Sequence, residues 1–110
     1  MAEFTQYVNI KEALKRIGGS MDLYKRLLTQ FSNGDYIEPL EIALNSGDSE
    51  EAARRIHSLK GVCANLSLVM LTTASAELEN LIHDGADYTE SLAELKRIYS
   101  ETSTQIDEII

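Results

Sequence analysis

His57, Lys60, Gly61 and Ala64 fall on one face of a helix if the segment Arg54-Arg55-Ile56-His57-Ser58-Leu59-Lys60-Gly61-Val62-Cys63-Ala64 is helical. Side chains three and four residues apart on a helix are neighbours, with Cβ atoms about 5–6 Å apart. An imidazole, whose titration ordinarily falls near neutrality, therefore stands beside a fixed cation with little bulk around it. That combination suits acceptance of a phosphoryl group. The ring nitrogen attacks phosphorus, the ammonium offsets the phosphoryl charge, and glycine and alanine leave room for a partner protein.

The opposite stripe of the same segment says which way His57 points. Ala52, Ile56, Leu59, Cys63, Leu66 and Met70 are spaced 4, 3, 4, 3 and 4, the seam of a helix packed in a bundle. At about 100° per residue, His57 lies about 100° from Ile56 and roughly 160° from Leu59. A histidine that only filled the core would sit on the seam, and this one does not.

Caps and glycines divide the chain into helices. Asn9 with Glu12 reads as a capping box ahead of the stripe Ile10, Ala13, Leu14 and Ile17, which Gly18-Gly19 ends. Ser20 caps a helix carrying Leu23, Leu27, Leu28 and Phe31. Ser32-Asn33-Gly34 interrupts it, as either a kink or a break. Asp35 with Glu38 restarts it, with Ile37, Leu40 and Leu44 inward, and Gly47 ends it. Asp48 with Glu51 opens the helix bearing His57. The next helix shows Leu71, Ala74, Leu78, Leu81 and Ile82 and closes at Gly85. Asp87 with Glu90 caps the last, whose seam is Leu92, Leu95, Tyr99, Thr102, Ile106 and Ile109. No segment alternates with period two, so no strand is expected. The fold expected is all-α: an antiparallel up-and-down four-helix bundle with a short extra N-terminal helix. Ile56, Leu59, Leu66, Leu78, Leu95 and Tyr99 are expected to set its core.

Composition narrows the function classes. With 110 residues the chain is expected to be a single domain, 1–110. Its net charge of −8 opposes binding to nucleic acid. Against that background Arg54, Arg55 and Lys60 gather three of the ten basic residues near His57, a local patch for a small anion or an acidic pocket. Taken singly, each arginine is equally a solvated surface residue. No apolar run is long enough for a membrane helix. The start, Met1-Ala2-Glu3-Phe4-Thr5, has neither the basic region nor the apolar core of a secretory signal. The lone Cys63 forms no internal disulfide, fits a reducing, cytoplasmic compartment, and packs as a small hydrophobe on the seam. One cysteine and two separated histidines do not make a zinc site. A dimetal carboxylate bundle would need paired inward Glu-x-x-His motifs, which are absent.

The segment His57-Ser58-Leu59-Lys60-Gly61 resembles the His-x-Leu-Lys-Gly signature of histidine-containing phosphotransfer domains. Ala64-Asn65-Leu66, then Ala76-Glu77-Leu78-Glu79, extend the likeness downstream. Ala13-Leu14-Lys15-Arg16-Ile17-Gly18-Gly19, Leu23-Tyr24 and Gly47-Asp48 extend it upstream. One departure is Ser67, where that family usually has glycine; its hydroxyl would suit the N-cap of the following helix. The resemblance implies a phosphorelay intermediate that passes a phosphoryl group on His57 between receiver-domain aspartates, without kinase activity of its own. It implies response-regulator receivers and a sensor or hybrid histidine kinase as partners. It implies no cofactor on this chain, the Mg2+ belonging to the receiver.

The roles that follow are His57 as the phosphorylated residue and Lys60 as the charge stabiliser. Arg54, Ser58, Gly61 and Ala64 form the docking surface, on a chain expected to be monomeric. Gly61 inside a helix costs about 1 kcal/mol relative to alanine, so it calls for a reason. Clearance for the partner or phosphoryl group is one, and close helix packing is the other. If the next helix turns back near Ser67, His57 lies level with about residue 78, which makes Glu79 a neighbour able to hold the Nδ1 proton. Similar use of a glutamate is made by phosphotransfer domains of chemotaxis kinases; the plain alternative is a surface carboxylate. His83, near a helix end, reads as a surface or cap residue. The competing function is a docking bundle that binds a signalling partner and carries no phosphate, for which His57 would be dispensable.

Overall fold

Side chains just ahead of the helices decide where most of them start. In the computed structural model, which describes residues 6–110, six α-helices form: α1 Ile10–Arg16, α2 Met21–Asn33, α3 Ile37–Asn45, α4 Ser49–Asn65, α5 Val69–Asp84 and α6 Thr89–Ile109. Asn9, Ser20 and Asp48 each accept the backbone N–H three residues on, at 3.1 Å. Asp35 Oδ1 accepts from both Ile37 and Glu38 N–H groups. These contacts satisfy donors that a helix start otherwise leaves without partners. Gly18 and Gly19 both adopt left-handed backbone, φ +81° and +85°, and turn the chain between α1 and α2. Residues 1–5, the stretch read above against a secretory signal, lie outside the described residues.

One open alternative is decided and two local expectations are corrected. The interruption at Ser32-Asn33-Gly34 is a break, so one wall of the bundle is built from two helices, α2 and α3. Asp87 does not cap through Glu90; its Oδ1 takes the Thr89 N–H at 3.0 Å and the Thr89 hydroxyl at 2.7 Å, a tighter local turn. Ser67 is not the N-cap of α5, since Leu68 holds that position. Ser67 instead has φ +55°, the left-handed conformation expected of the glycine it replaces.

The walls pack in the order their short connections dictate. α3 lies on α4, α4 on α5, α5 on α6, and α2 on α6, while α1 packs against α2. Short loops force neighbours to run antiparallel. The molecule is elongated, 41 × 21 × 20 Å. Ile56, Leu59, Cys63, Leu71, Leu78, Leu95 and Ile106 are fully buried between the walls. Tyr99 is only partly buried, because its ring sits at the edge beside Phe31 with centroids 5.9 Å apart. Met70 is also partly buried and belongs to α5 rather than to the α4 seam. Among the described residues, two hydroxyls in the core, Ser75 Oγ and Thr102 Oγ1, have no hydrogen-bond partner.

Candidate functional site

Asp48 starts α4 and the Ile56–Leu59–Cys63 seam fixes its rotation, so His57 is turned to solvent. Its side chain is 71% exposed, whereas Ile56 and Leu59 are fully buried. Ser58, Gly61, Ala64 and Arg54 are exposed along the same region of α4, and Lys60 is half-buried. The direction in which a Gly61 Cβ would point is open, with nothing within 4 Å. Close helix packing therefore does not account for this glycine.

The α5 seam presents Glu79 to this face from the neighbouring helix. Leu78 and Ile82 face the core, and Glu79 lies one position round from Leu78 with only 12% of its side chain exposed. Glu79 Oε2 is 2.9 Å from His57 Nδ1, and Oε1 accepts from Lys60 Nζ at 2.5 Å. One carboxylate thus bridges the imidazole and the ammonium. Burial pushes the Glu79 carboxyl up, but hydrogen bonds from Lys60 and His57, together with their charges, outweigh burial and hold it below its ordinary value. It is ionised at neutral pH and only accepts. His57 Nδ1 is therefore the donor, and in the neutral ring the lone pair is on Nε2.

The cationic patch suggested by the sequence is largely neutralised. Arg54 and Arg55 both pair with Glu51, one turn back on α4, and Lys60 is engaged by Glu79. Exposed pairs of the first kind contribute little to stability. An open groove of about 400 Å³ lies between α1, α2 and the end of α4, lined by Ile17, Leu27, Phe31, Tyr36, Val62 and Leu66 among others. Its walls come from three separate elements, so no local pattern reveals it. His83 is exposed in the last turn of α5.

A family model described as Hpt domain matches residues 26–107, which include His57, Lys60, Gly61 and Glu79. The chain belongs to the Hpt domain family. Hpt domains are phosphoryl carriers of phosphorelay signalling, work with receiver domains and kinases, and are not kinases themselves. No curated protein and no solved structure matches this Hpt chain. Among the described residues, no helix is long and apolar enough to cross a membrane. Nor do three His, Cys, Asp or Glu residues cluster where they could hold a metal ion.

Proposed function

We propose that His57 is the phosphoryl-accepting residue of this Hpt domain, with Nε2 as the nucleophile. The observation that carries this is the bridge through Glu79, which holds the Nδ1 proton and faces the ring from a helix that the core fixes in place. In the step, the Nε2 lone pair attacks the phosphorus of a receiver's aspartyl phosphate. The N–P bond forms, the P–O bond to the aspartyl carboxylate breaks, and that carboxylate leaves with the electron pair. The ring becomes cationic and keeps its Nδ1 proton against Glu79. Transfer onward to a second receiver is the same step reversed, with the Mg2+ on the receiver.

Lys60 is the charge stabiliser. At rest its ammonium lies against Glu79, and an arriving phosphoryl group offers it a second, more highly charged partner on the same face. Arg54, Ser58, Gly61 and Ala64 form the docking surface, with Gly61 providing clearance above His57. We place the chain in the cytoplasm as a monomeric single Hpt domain over 1–110, with response-regulator receivers and a sensor or hybrid histidine kinase as its partners.

The experiment is transfer of labelled phosphate from a phosphorylated receiver to the wild type and to His57→Gln. The expected result is acid-labile label on the wild type and none on a folded His57→Gln. Label retained by the variant removes the assignment of His57. A receiver that binds both proteins equally and labels neither supports the docking module instead.

A further inference from the structure

The backbone carbonyls that end α4 are held by the first part of the chain. Arg16 Nη1 donates to Ala64 O at 2.6 Å, to Asn65 O at 2.9 Å and to Ser67 Oγ at 3.0 Å. The buried Tyr24 hydroxyl donates to Leu66 O at 2.6 Å. The Asn9 N–H donates to Ser67 O at 2.9 Å, and across the turn the Val69 N–H donates to Tyr7 O at 3.0 Å. Glu12 Oε1 holds Arg16 from behind at 2.8 Å. The last carbonyls of a helix lack partners within the helix, and a cation there also meets the negative end of its dipole. Here four successive carbonyls, from Ala64 to Ser67, are all engaged. The residue at the centre, Ser67, has the left-handed backbone that non-glycine residues rarely adopt. The residues that hold the turn, Tyr7, Asn9, Arg16 and Tyr24, all precede the stretch that the Hpt family model matches.

We propose that this clasp sets the register of α5 against α4, and that Arg16 is a positioning residue for the His57–Glu79 contact. The proposal rests on His57 as the accepting residue. α4 and α5 are joined only by Leu66–Leu68, with His57 ten residues before Ser67 and Glu79 twelve after it. Each site residue is therefore roughly 15–18 Å of helix from the turn. The apolar seam fixes which face of α5 turns inward, but apolar burial is non-directional and holds small shifts along the axis less strictly. The hydrogen bond from Nδ1 to Glu79 is directional and weakens steeply when misaligned. An axial slip of α5 by one helical rise would move Glu79 by about 1.5 Å, enough to misalign that bond. Arg16 resists that slip because its planar guanidinium binds two carbonyls and the Ser67 hydroxyl at once.

The test uses the full chain labelled with 15N and reads the His57 ring nitrogens, which report the share of rings protonated at Nδ1. The wild type is expected to be mainly Nδ1-protonated. Arg16→Met, at a temperature where circular dichroism shows the helices intact, is expected to shift His57 toward the Nε2-protonated form. It should also slow phosphoryl transfer by up to about a hundredfold, the scale of a misplacement near 1 Å. Arg16→Lys, which keeps a charged donor, should recover part of both. A folded Arg16→Met with the wild-type Nδ1 share, even at lower melting temperature, overturns the proposal, since Arg16 would then only stabilise. Should Arg16→Met not fold, Arg16→Lys decides by the same reading: a shifted share supports the proposal and an unchanged one overturns it. A wild type that takes no phosphate would remove the role of His57 yet leave this ring measurement standing.

Discussion

Glu79 ties the proposed site together, since it touches both the His57 imidazole and the Lys60 ammonium. Its carboxyl titrates below the ordinary value of 4.5 in the folded chain, despite burial, because Lys60 and His57 favour the ionised form. An unfolded chain binds that proton more readily. Glu79 therefore contributes stability that is fully present above about pH 4.5 and is lost as pH falls through the folded value. Urea melts of wild type and Glu79→Gln should differ most near neutrality and converge in acid. A difference constant from about pH 3 to 7 would contradict the ionised bridge. Lys60→Ala should lower the melting temperature modestly, because Glu79 loses one of its two partners, and slow transfer by about tenfold to a hundredfold. That corresponds to about 1.5–3 kcal/mol for a hydrogen bond to a charged group. Stopped-flow transfer kinetics check it, and an unaltered rate would leave Lys60 as a surface residue.

At the scale of elements, α4 was legible because its two stripes differ so sharply. The 4-3-4-3 seam placed Ile56 and Leu59 inside and His57 outside, as found. The same periodicity, folded back near Ser67, brought Glu79 level with His57. The clasp on that turn was not legible, because Arg16 meets Ala64 and Asn65 across 48 and 49 positions and no local pattern encodes such a contact. Asp87 misled for a different reason: an Asx side chain can serve the residue two ahead as well as three. Gly61 gives a test of α4 itself. With open space at its Cβ position, Gly61→Gln should raise helix propensity and leave stability equal or higher by up to about 1 kcal/mol. It should weaken receiver docking by filling the space beside His57. Thermal melts and a binding titration on the same sample check both halves, and a destabilised variant with unchanged docking would contradict them.

For the whole molecule, the bundle follows from short connections between amphipathic segments, and its core was largely readable from the seams. Among the six residues expected to set it, Tyr99 was the exception, since a helical stripe gives a direction but not the depth at which a wide ring ends. Leu59, buried between α4 and its neighbours, should cost about 2–5 kcal/mol as Leu59→Ala in a denaturant melt. A loss below about 0.5 kcal/mol would place it at the surface. Thr102 should respond in the opposite sense. Its buried hydroxyl has no partner, so Thr102→Val removes an unmet polar group at nearly constant volume and should be neutral or stabilising. A clear loss in the same melt would show that the hydroxyl is in use.

The most direct measurement of the central claim is the position of the phosphoryl group on the phosphorylated chain. Nuclear magnetic resonance that correlates 31P with ring 15N identifies both the residue and the nitrogen. The geometry, with Nδ1 occupied by Glu79, predicts a single coupling, to Nε2 of His57. Phosphorus found on Nδ1 of His57, or on His83, would contradict the account.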